Sequence, residues 1–294
     1  MINKNILFFG GTSLASEYLI YDLSKKNNIY NISRNKIIGL KNIYLDLENK
    51  STFKNLRKIK EKKIDYLIYF SSQVPYSELN SQWHECKNIN VYSPIKILNK
   101  LNFKIKKIIL ASSMSVYGNN IEKKISELSK TNPDSGYALS KFMQEKIFGI
   151  YSKVNNIKFL CFRFGHIYSK NISSKRFIKK IIFKISSNQD LKIINGNKIN
   201  LNLLHTKDLS VVVQKIMKDK QGIYNLSSNR FISINFFVKK VLKYFPKYSG
   251  KILKINDSNK KKDKLFSNNK INSMYSFNLV NRLDDTIVEI IKKI

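Results

Sequence analysis

Tyr137 and Lys141 stand four residues apart in the run Tyr137-Ala138-Leu139-Ser140-Lys141. On a helix that spacing puts both side chains on one face, where they can meet over a ligand. A free tyrosine, with a pKa of about 10, is a weak base near neutral pH, and an adjacent ammonium favours its phenolate. Upstream, an apolar run closes in Ala111-Ser112-Ser113-Met114-Ser115-Val116-Tyr117-Gly118, which sets the Ser113 hydroxyl at a strand end. There it can hydrogen-bond a carbonyl or alkoxide oxygen. Ser113, Tyr137 and Lys141 thus form a set able to move a proton while a cofactor moves a hydride. A surface tyrosine and a solvated lysine would show the same spacing, so the surrounding elements decide between the two readings.

Those elements alternate. The apolar strand Ile6 to Phe9 breaks at Gly10-Gly11-Thr12-Ser13 and passes into a helical pattern from Leu14 to Leu23. A strand, a tight turn and a helix suggest a phosphate site, because free backbone N–H groups and the helix dipole favour an anion. Gly10, Thr12, Ser13 and Leu14 are its candidate residues. A dinucleotide turn wants three glycines, and here the positions read Gly10, Ser13 and Ser16. The second strand, Ile29 to Ile32, ends in Ser33-Arg34. A carboxylate at that strand end would hold the ribose 2′-hydroxyl of NAD, whereas an arginine accommodates a 2′-phosphate. NADP is therefore preferred over NAD, although Arg34 reads equally as one more exposed cation. The third strand, Ile43 to Leu45, reaches Asp46-Leu47, suited to the edge and face of an adenine ring. A helix over Thr52 to Glu61 leads to a fourth strand, Tyr66 to Phe70, and then to Ser71-Ser72. Phe70, Ser71 and Ser72 are small or apolar cover where a cofactor would cross the sheet.

Ser81 to Leu101 is helical, with Asn90 inside an apolar periodicity as either a satisfied core residue or a functional one. Pro94 either kinks this helix or restarts it. The Tyr-Lys helix runs to about Tyr151, and a sixth strand, Lys158 to Arg163, gives way to Phe164-Gly165-His166-Ile167-Tyr168. Beyond it come a basic helix (Lys175 to Ser186), a strand (Leu191 to Ile194), a strand over Leu201 to Leu209 running into a helix (Ser210 to Met217), a strand (Gly222 to Leu226), and helices over Ile234 to Tyr244 and Asp284 to Ile294. The lysine run Lys260 to Lys264 reads as a solvated loop. Near-continuous apolar strands alternating with helices predict an α/β fold, a doubly wound parallel Rossmann sheet over residues 1–167. A smaller C-terminal substrate lobe takes residues 168–294, with segments around 201–227 returning to the main domain. In that arrangement Gly10, Ser33, Ser71, Ser113 and Phe164 all fall on the carboxyl edge.

A formal charge of +34 invites a nucleic-acid reading. The lysines, however, are spread with asparagine and isoleucine along the whole chain, and no basic stripe interleaved with aromatics tracks a strand, so no nucleic-acid partner is expected. The positive field suits anionic small molecules. No run approaches the roughly 20 apolar residues of a membrane span, and no membrane partner is expected. The segment Ile6 to Phe9 is too short for a signal peptide, which points to the cytoplasm. Two cysteines, Cys86 and Cys161, and three scattered histidines give no support to a disulfide framework or to metal catalysis.

The ordered set Gly10 to Ser16, Asp46-Leu47, Ser112 to Gly118, Tyr137 to Lys141, Arg163 to Tyr168, and His205-Thr206-Lys207-Asp208-Leu209 followed by Gly222 to Leu226 resembles the extended short-chain dehydrogenase/reductases. Within them it is similar to the NAD-dependent epimerase/dehydratase group, which acts largely on nucleotide sugars. The resemblance covers nearly the whole chain. It implies Ser113 as the catalytic hydroxyl, Tyr137 as general acid/base, Lys141 as the lysine that also holds the nicotinamide ribose, and Phe164 against the nicotinamide. Ser115 and His166 are the substrate-contact candidates it implies. Dehydratases of the group carry Asp-Glu directly after the catalytic hydroxyl, and Met114-Ser115 here argues against a 4,6-dehydratase. His166 stands where the group has an asparagine, and Ser169 where it has glycine. Three functions fit: a nucleotide-linked keto-sugar reductase preferring NADP, a nucleotide-sugar epimerase retaining NAD, and a non-catalytic cofactor-binding scaffold. Pairing of the helices around Ser81 to Leu101 and Tyr137 to Tyr151 would give a homodimer.

Overall fold

The computed structural model describes residues 2–74, 83–118, 120, 122, 124–196, 200–228, 231–256, 265–274 and 282–294. Seven apolar segments become strands: β1 (Asn5–Phe9), β2 (Asn28–Ser33), β3 (Lys41–Tyr44), β4 (Lys63–Tyr69), β5 (Lys104–Ser113), β6 (Lys158–Phe164) and β7 (Gly222–Leu226). They form one sheet in the order β7-β6-β5-β4-β1-β2-β3, every neighbouring pair parallel. The order reverses between β1 and β4. In a doubly wound sheet the crevice outside those two carboxyl ends is the ligand site.

Alternate residues of each strand go to opposite faces. Ile6, Phe8, Ile68, Ile109 and Phe162 face helices α1 (Leu19–Ser24) and the later α3 (Thr206–Asp219), with Leu19, Ile20, Val213 and Ile216 completing that core. Leu7, Phe9, Leu67, Leu110 and Cys161 face the other way, toward Phe148 of α2 (Gly136–Val154) and toward Ile97 and Leu98. A third apolar cluster, including Ile178, Ile182, Phe237, Val241, Ile287 and Ile290, unites the helices Phe177–Ser186, Ile234–Leu242 and Leu283–Ile291. Beside it the strand Leu191–Ile194 pairs in parallel with Ile252–Ile255, a strand the sequence pattern does not reveal.

Several predicted elements change form. The helix expected from Leu14 to Leu23 is a single 3₁₀ turn, Leu14–Ser16, followed by α1. The buried Ser16 hydroxyl donates back to the Gly10 carbonyl at 2.8 Å and tightens the turn. The helix expected over Thr52 to Glu61 is the 3₁₀ stretch Lys50–Lys58. The strand expected from Leu201 to Leu209 splits into Asn200–Leu201 and Leu203–His205, and α3 begins at once because the His205 Nδ1 accepts from the Lys207 N–H at 3.1 Å and caps it. At Pro94 the helix neither stops nor restarts: Trp83–Cys86, the wide π-turn Lys87–Tyr92 and Ser93–Leu98 follow one another with αR backbone at each junction, and Pro94 sits just after the π-turn. The expected solvated run Lys260 to Lys264 lies outside the described residues, as do Ser81 and Gln82 of the helix expected from Ser81. Among the described residues no helix is long and apolar enough to cross a membrane.

Candidate active site

Because the strands are parallel, their carboxyl ends bring the predicted residues to one edge. Gly10, directly after β1, has φ of +81°, and a Cβ there would lie 2.6 Å from the Ser71 nitrogen and 2.8 Å from the Phe70 carbonyl carbon. The β1 turn and the end of β4 therefore meet backbone to backbone at the reversal point, a contact only glycine permits. Ser13, by contrast, sits at φ −76° and ψ 157°, which any residue adopts. Its hydroxyl pairs with that of Ser16 at 2.8 Å, so the two serines standing for glycines turn inward and brace the turn. Thr12 is exposed and Leu14 half-buried at its rim. Glu17 then ties this turn to the distant chain, its carboxylate accepting from Ser169 Oγ, from Asn171 Nδ2 at 2.7 Å and from Thr206 Oγ1 at 3.3 Å.

At the end of β2 the Ser33 hydroxyl donates to the Asn35 carbonyl at 2.5 Å, and Arg34 is exposed. No Asp or Glu occurs from residue 33 through residue 45. Asp46 Oδ1 accepts from the Glu48 N–H at 3.0 Å, and the Leu47 carbonyl accepts from Ser93 Oγ at 2.6 Å, which fixes the loop after β3. After β4, Ser71 abuts Gly10, and Ser72 Oγ donates to Asn90 Oδ1 at 3.1 Å. Phe70 and Phe164 lie edge to face with centroids 5.6 Å apart, and Phe164 stacks on Phe162. Both Phe70 and Phe164 are at most 5% exposed and belong to the core on the α1 and α3 face of the sheet.

Ser113 ends β5 in register with Phe164 of β6. Its Oγ accepts from the Ser115 N–H at 3.1 Å and from the Ser115 hydroxyl at 2.9 Å. Ser115 thus orients Ser113, whose own proton is left for a third partner. That partner is at hand, because Tyr137 enters on the first turn of α2, which Ser135 caps by accepting from the Ala138 N–H at 3.2 Å. Burial raises the Tyr137 pKa, and the Ser113 hydroxyl bonded to it, then the Arg176 cation, pull it back. Tyr137 is consequently a protonated phenol, poised to donate, beside a group that favours its ionised form.

Lys141 departs from the expected pose. Rather than lying open over a ligand it is 2% exposed, and its Nζ donates to the Ala111 carbonyl at 2.6 Å and to Gln144 Oε1. Burial lowers its pKa to about 8. His166 begins the strand His166–Tyr168, exposed, with its ring edge-on to Phe177 at 6.0 Å. Desolvation, and then the Arg176 cation, lower its pKa.

A polar network behind β5 is not read from the sequence. Glu145 holds Arg163 through two bonds of 2.9 and 2.8 Å and also accepts from the Ser112 hydroxyl, with both charges about 5% exposed or less. The Arg163 guanidinium lies 4.7 Å from the Tyr117 ring centroid, and Tyr117 donates to Asn225 Oδ1 at 2.7 Å. A sequence signal exists: Glu145 is one turn beyond Lys141 on the buried face of α2, and Arg163 interrupts an apolar strand. Asn90 is fully buried, and its side chain bonds Ser72, Gln73 and Ser140, so it is both a core residue and part of the wall of the site.

Comparison with known proteins bears on the fold and the family. The human dTDP-D-glucose 4,6-dehydratase is 23% identical, over 81% of this chain and 73% of its own length. The structure of UDP-glucose 4-epimerase with UDP-glucose from Thermotoga maritima superposes with a TM-score of 0.84 at 13% identity, covering 98% of this chain and 99% of that one. That of UDP-glucuronic acid 4-epimerase from Bacillus cereus, in complex with UDP-glucuronic acid and NAD, gives 0.83 at 16% identity, with 98% and 99% covered. These likenesses establish the fold, and the family follows from the sequence itself. Residues 6–227 match the model of the NAD dependent epimerase/dehydratase family, and this chain belongs to that family.

Proposed function

We propose that the protein reduces a keto group on a nucleotide-linked sugar and prefers NADP. The observation that carries the cofactor preference is the end of β2, where exposed Arg34 stands with no carboxylate from residue 33 through residue 45. A guanidinium matches a 2′-phosphate in charge and geometry, and nothing acidic is there to bind a free 2′-hydroxyl. The close approach at Gly10 fits a dinucleotide crossing the reversal point. Gly10, Thr12, Ser13 and Leu14 would hold its pyrophosphate, Ser33 and Arg34 the adenosine ribose, Asp46 and Leu47 the adenine. Phe70, Ser71, Ser72, Lys141 and Phe164 would line its nicotinamide half. When bound, such a cofactor supplies the hydride. The chain's own part is to protonate the developing oxyanion from Tyr137 while Ser113 hydrogen-bonds the same oxygen. His166, Ser115 and the lobe of residues 168–294 are assigned to the sugar and its nucleotide.

A cofactor titration followed by Trp83 quenching tests the reading. NADPH is expected to bind more tightly than NADH, and Arg34→Ala is expected to weaken NADPH about tenfold, the value of one good charge-assisted contact, while leaving NADH unchanged. Tighter NADH binding in the unmodified protein would sink the NADP assignment. A second reading, epimerisation with retained NAD, is favoured by the Ser113–Tyr137–Lys141 set itself, which can take a proton from a hydroxyl and return it. The UDP-sugar epimerases among the structural neighbours support it. Copurifying NAD would select that reading, and binding of neither cofactor would leave a scaffold.

The same reading includes a homodimer. Leu139, Ile150 and Val154 form an exposed stripe on α2, between 40% and 75% exposed, and Tyr92 and Ile95 expose a second on the neighbouring helix at 49% and 39%. Side-by-side apolar stripes are self-complementary about a two-fold axis. Sedimentation is expected to give twice the 34.4 kDa chain mass, and Ile150→Glu with Val154→Lys to give the monomer. A monomeric parent protein would refute the interface.

A further inference from the structure

Gln144 occupies an unusual position for an amide. Its Oε1 accepts from the Lys141 ammonium, and its Nε2 donates at 3.1 Å to the backbone carbonyl of Asn90, which lies in the π-turn Lys87–Tyr92. Gln144 is fully buried, and so is Asn90. The Asn90 side chain continues the chain of contacts, donating to Ser140 Oγ at 2.9 Å, while Ser140 donates to the Tyr137 carbonyl at 2.8 Å. An ammonium has three N–H donors, and two of those on Lys141 are taken by Ala111 and Gln144.

We propose that Gln144 is a positioning residue that clamps the Lys141 ammonium between the end of β5 and the π-turn, so that one N–H is left for a bound ligand. The inference rests on the functional reading of Tyr137 and Lys141 given above and adds a residue that reading did not contain. An amide suits the post. Its oxygen is a strong acceptor for a cation, its nitrogen can be tied down independently, and it carries no charge to compete with the Glu145–Arg163 pair nearby.

The charged and titratable groups facing Lys141 are Glu145 on its own helix, Cys161 on β6 and Cys86 on the helix Trp83–Cys86; β5 offers only the Ala111 carbonyl. Losing the Gln144 acceptor leaves the ammonium with a single hydrogen-bond acceptor, the Ala111 carbonyl, and the field of Glu145. The test is ¹⁵Nζ NMR of the lysine ammonium groups in the full chain, with Lys141→Met assigning the signal. The wild-type midpoint is expected near the value of about 8 that burial sets. Gln144→Leu is expected to lower it by about one pH unit, the equivalent of one hydrogen bond to a charge, and Gln144→Glu to raise it. A wild-type midpoint in Gln144→Leu overturns the proposal. Should that variant fail to fold, Gln144→Glu decides alone, and a midpoint that does not rise overturns it as well. Neither cofactor nor sugar enters this measurement. Failure of the NADP-reductase reading would show instead in the cofactor titration, with the Lys141 midpoint unaffected.

Discussion

Tyr137→Phe is expected to lower turnover by about 10²–10⁴-fold, the usual worth of a positioned general acid, while leaving cofactor affinity close to that of the wild type. The separation follows from the geometry. The hydroxyl removed faces Ser113, whereas most residues assigned to the dinucleotide come from the ends of β1, β2, β3 and β4, and the two others, Lys141 of α2 and Phe164 of β6, are untouched by the change. The phenylalanine ring keeps the packing at the start of α2, so folding is unaffected. Single-turnover assays on keto-sugar nucleotides, run beside the NADPH titration, give both numbers. Retained turnover would remove Tyr137 as the proton donor, and loss of cofactor binding together with turnover would make its role structural. The raised phenol pKa also sets a direction in pH. The donor stays protonated through neutral pH, and the supporting ammonium is lost as pH climbs through about 8. The rate should therefore fall on the alkaline side.

Glu145→Ala is expected to destabilise the protein by about 3–5 kcal/mol, because it leaves the Arg163 guanidinium buried without a counter-charge. Burial works against that guanidinium's charge and Glu145 more than offsets it, holding Arg163 above the ordinary arginine range. For a chain of 294 residues such a loss lowers the midpoint of thermal unfolding by on the order of 10 °C. Replacing the pair together, Glu145→Leu with Arg163→Met, should recover most of the loss, since two apolar side chains of similar volume leave no orphaned charge. Thermal unfolding of the single and double variants distinguishes the two cases. A single variant within about 1 kcal/mol of the parent would show that water or a shifted neighbour compensates Arg163. The pair also braces the site, since Glu145 accepts from Ser112, the residue before Ser113, and sits one turn after Lys141.

What the amino-acid sequence determined by itself was the frame. Unbroken apolar strands alternating with helices permit little besides a parallel sheet covered on both faces, and parallel strands necessarily gather their carboxyl ends on one edge. Gly10, Ser33, Ser71, Ser113 and Phe164 could thus be assigned to a common edge, and the structure places them there. The family likewise follows from the order of motifs along the chain. The sequence could not disclose where polar side chains point once buried. Helical spacing put Tyr137 and Lys141 on one face, yet the partners that turn the Lys141 ammonium inward, Ala111 and Gln144, come from β5 and from the helix interior. Likewise Arg163 and Glu145, 18 residues apart, and Glu17 and Ser169, 152 apart, meet only because sheet order and helix packing carry them together. Strand and helix periodicity is a local property of the chain. Satisfying a buried charge depends on groups far apart in sequence, so only the tertiary structure decides it.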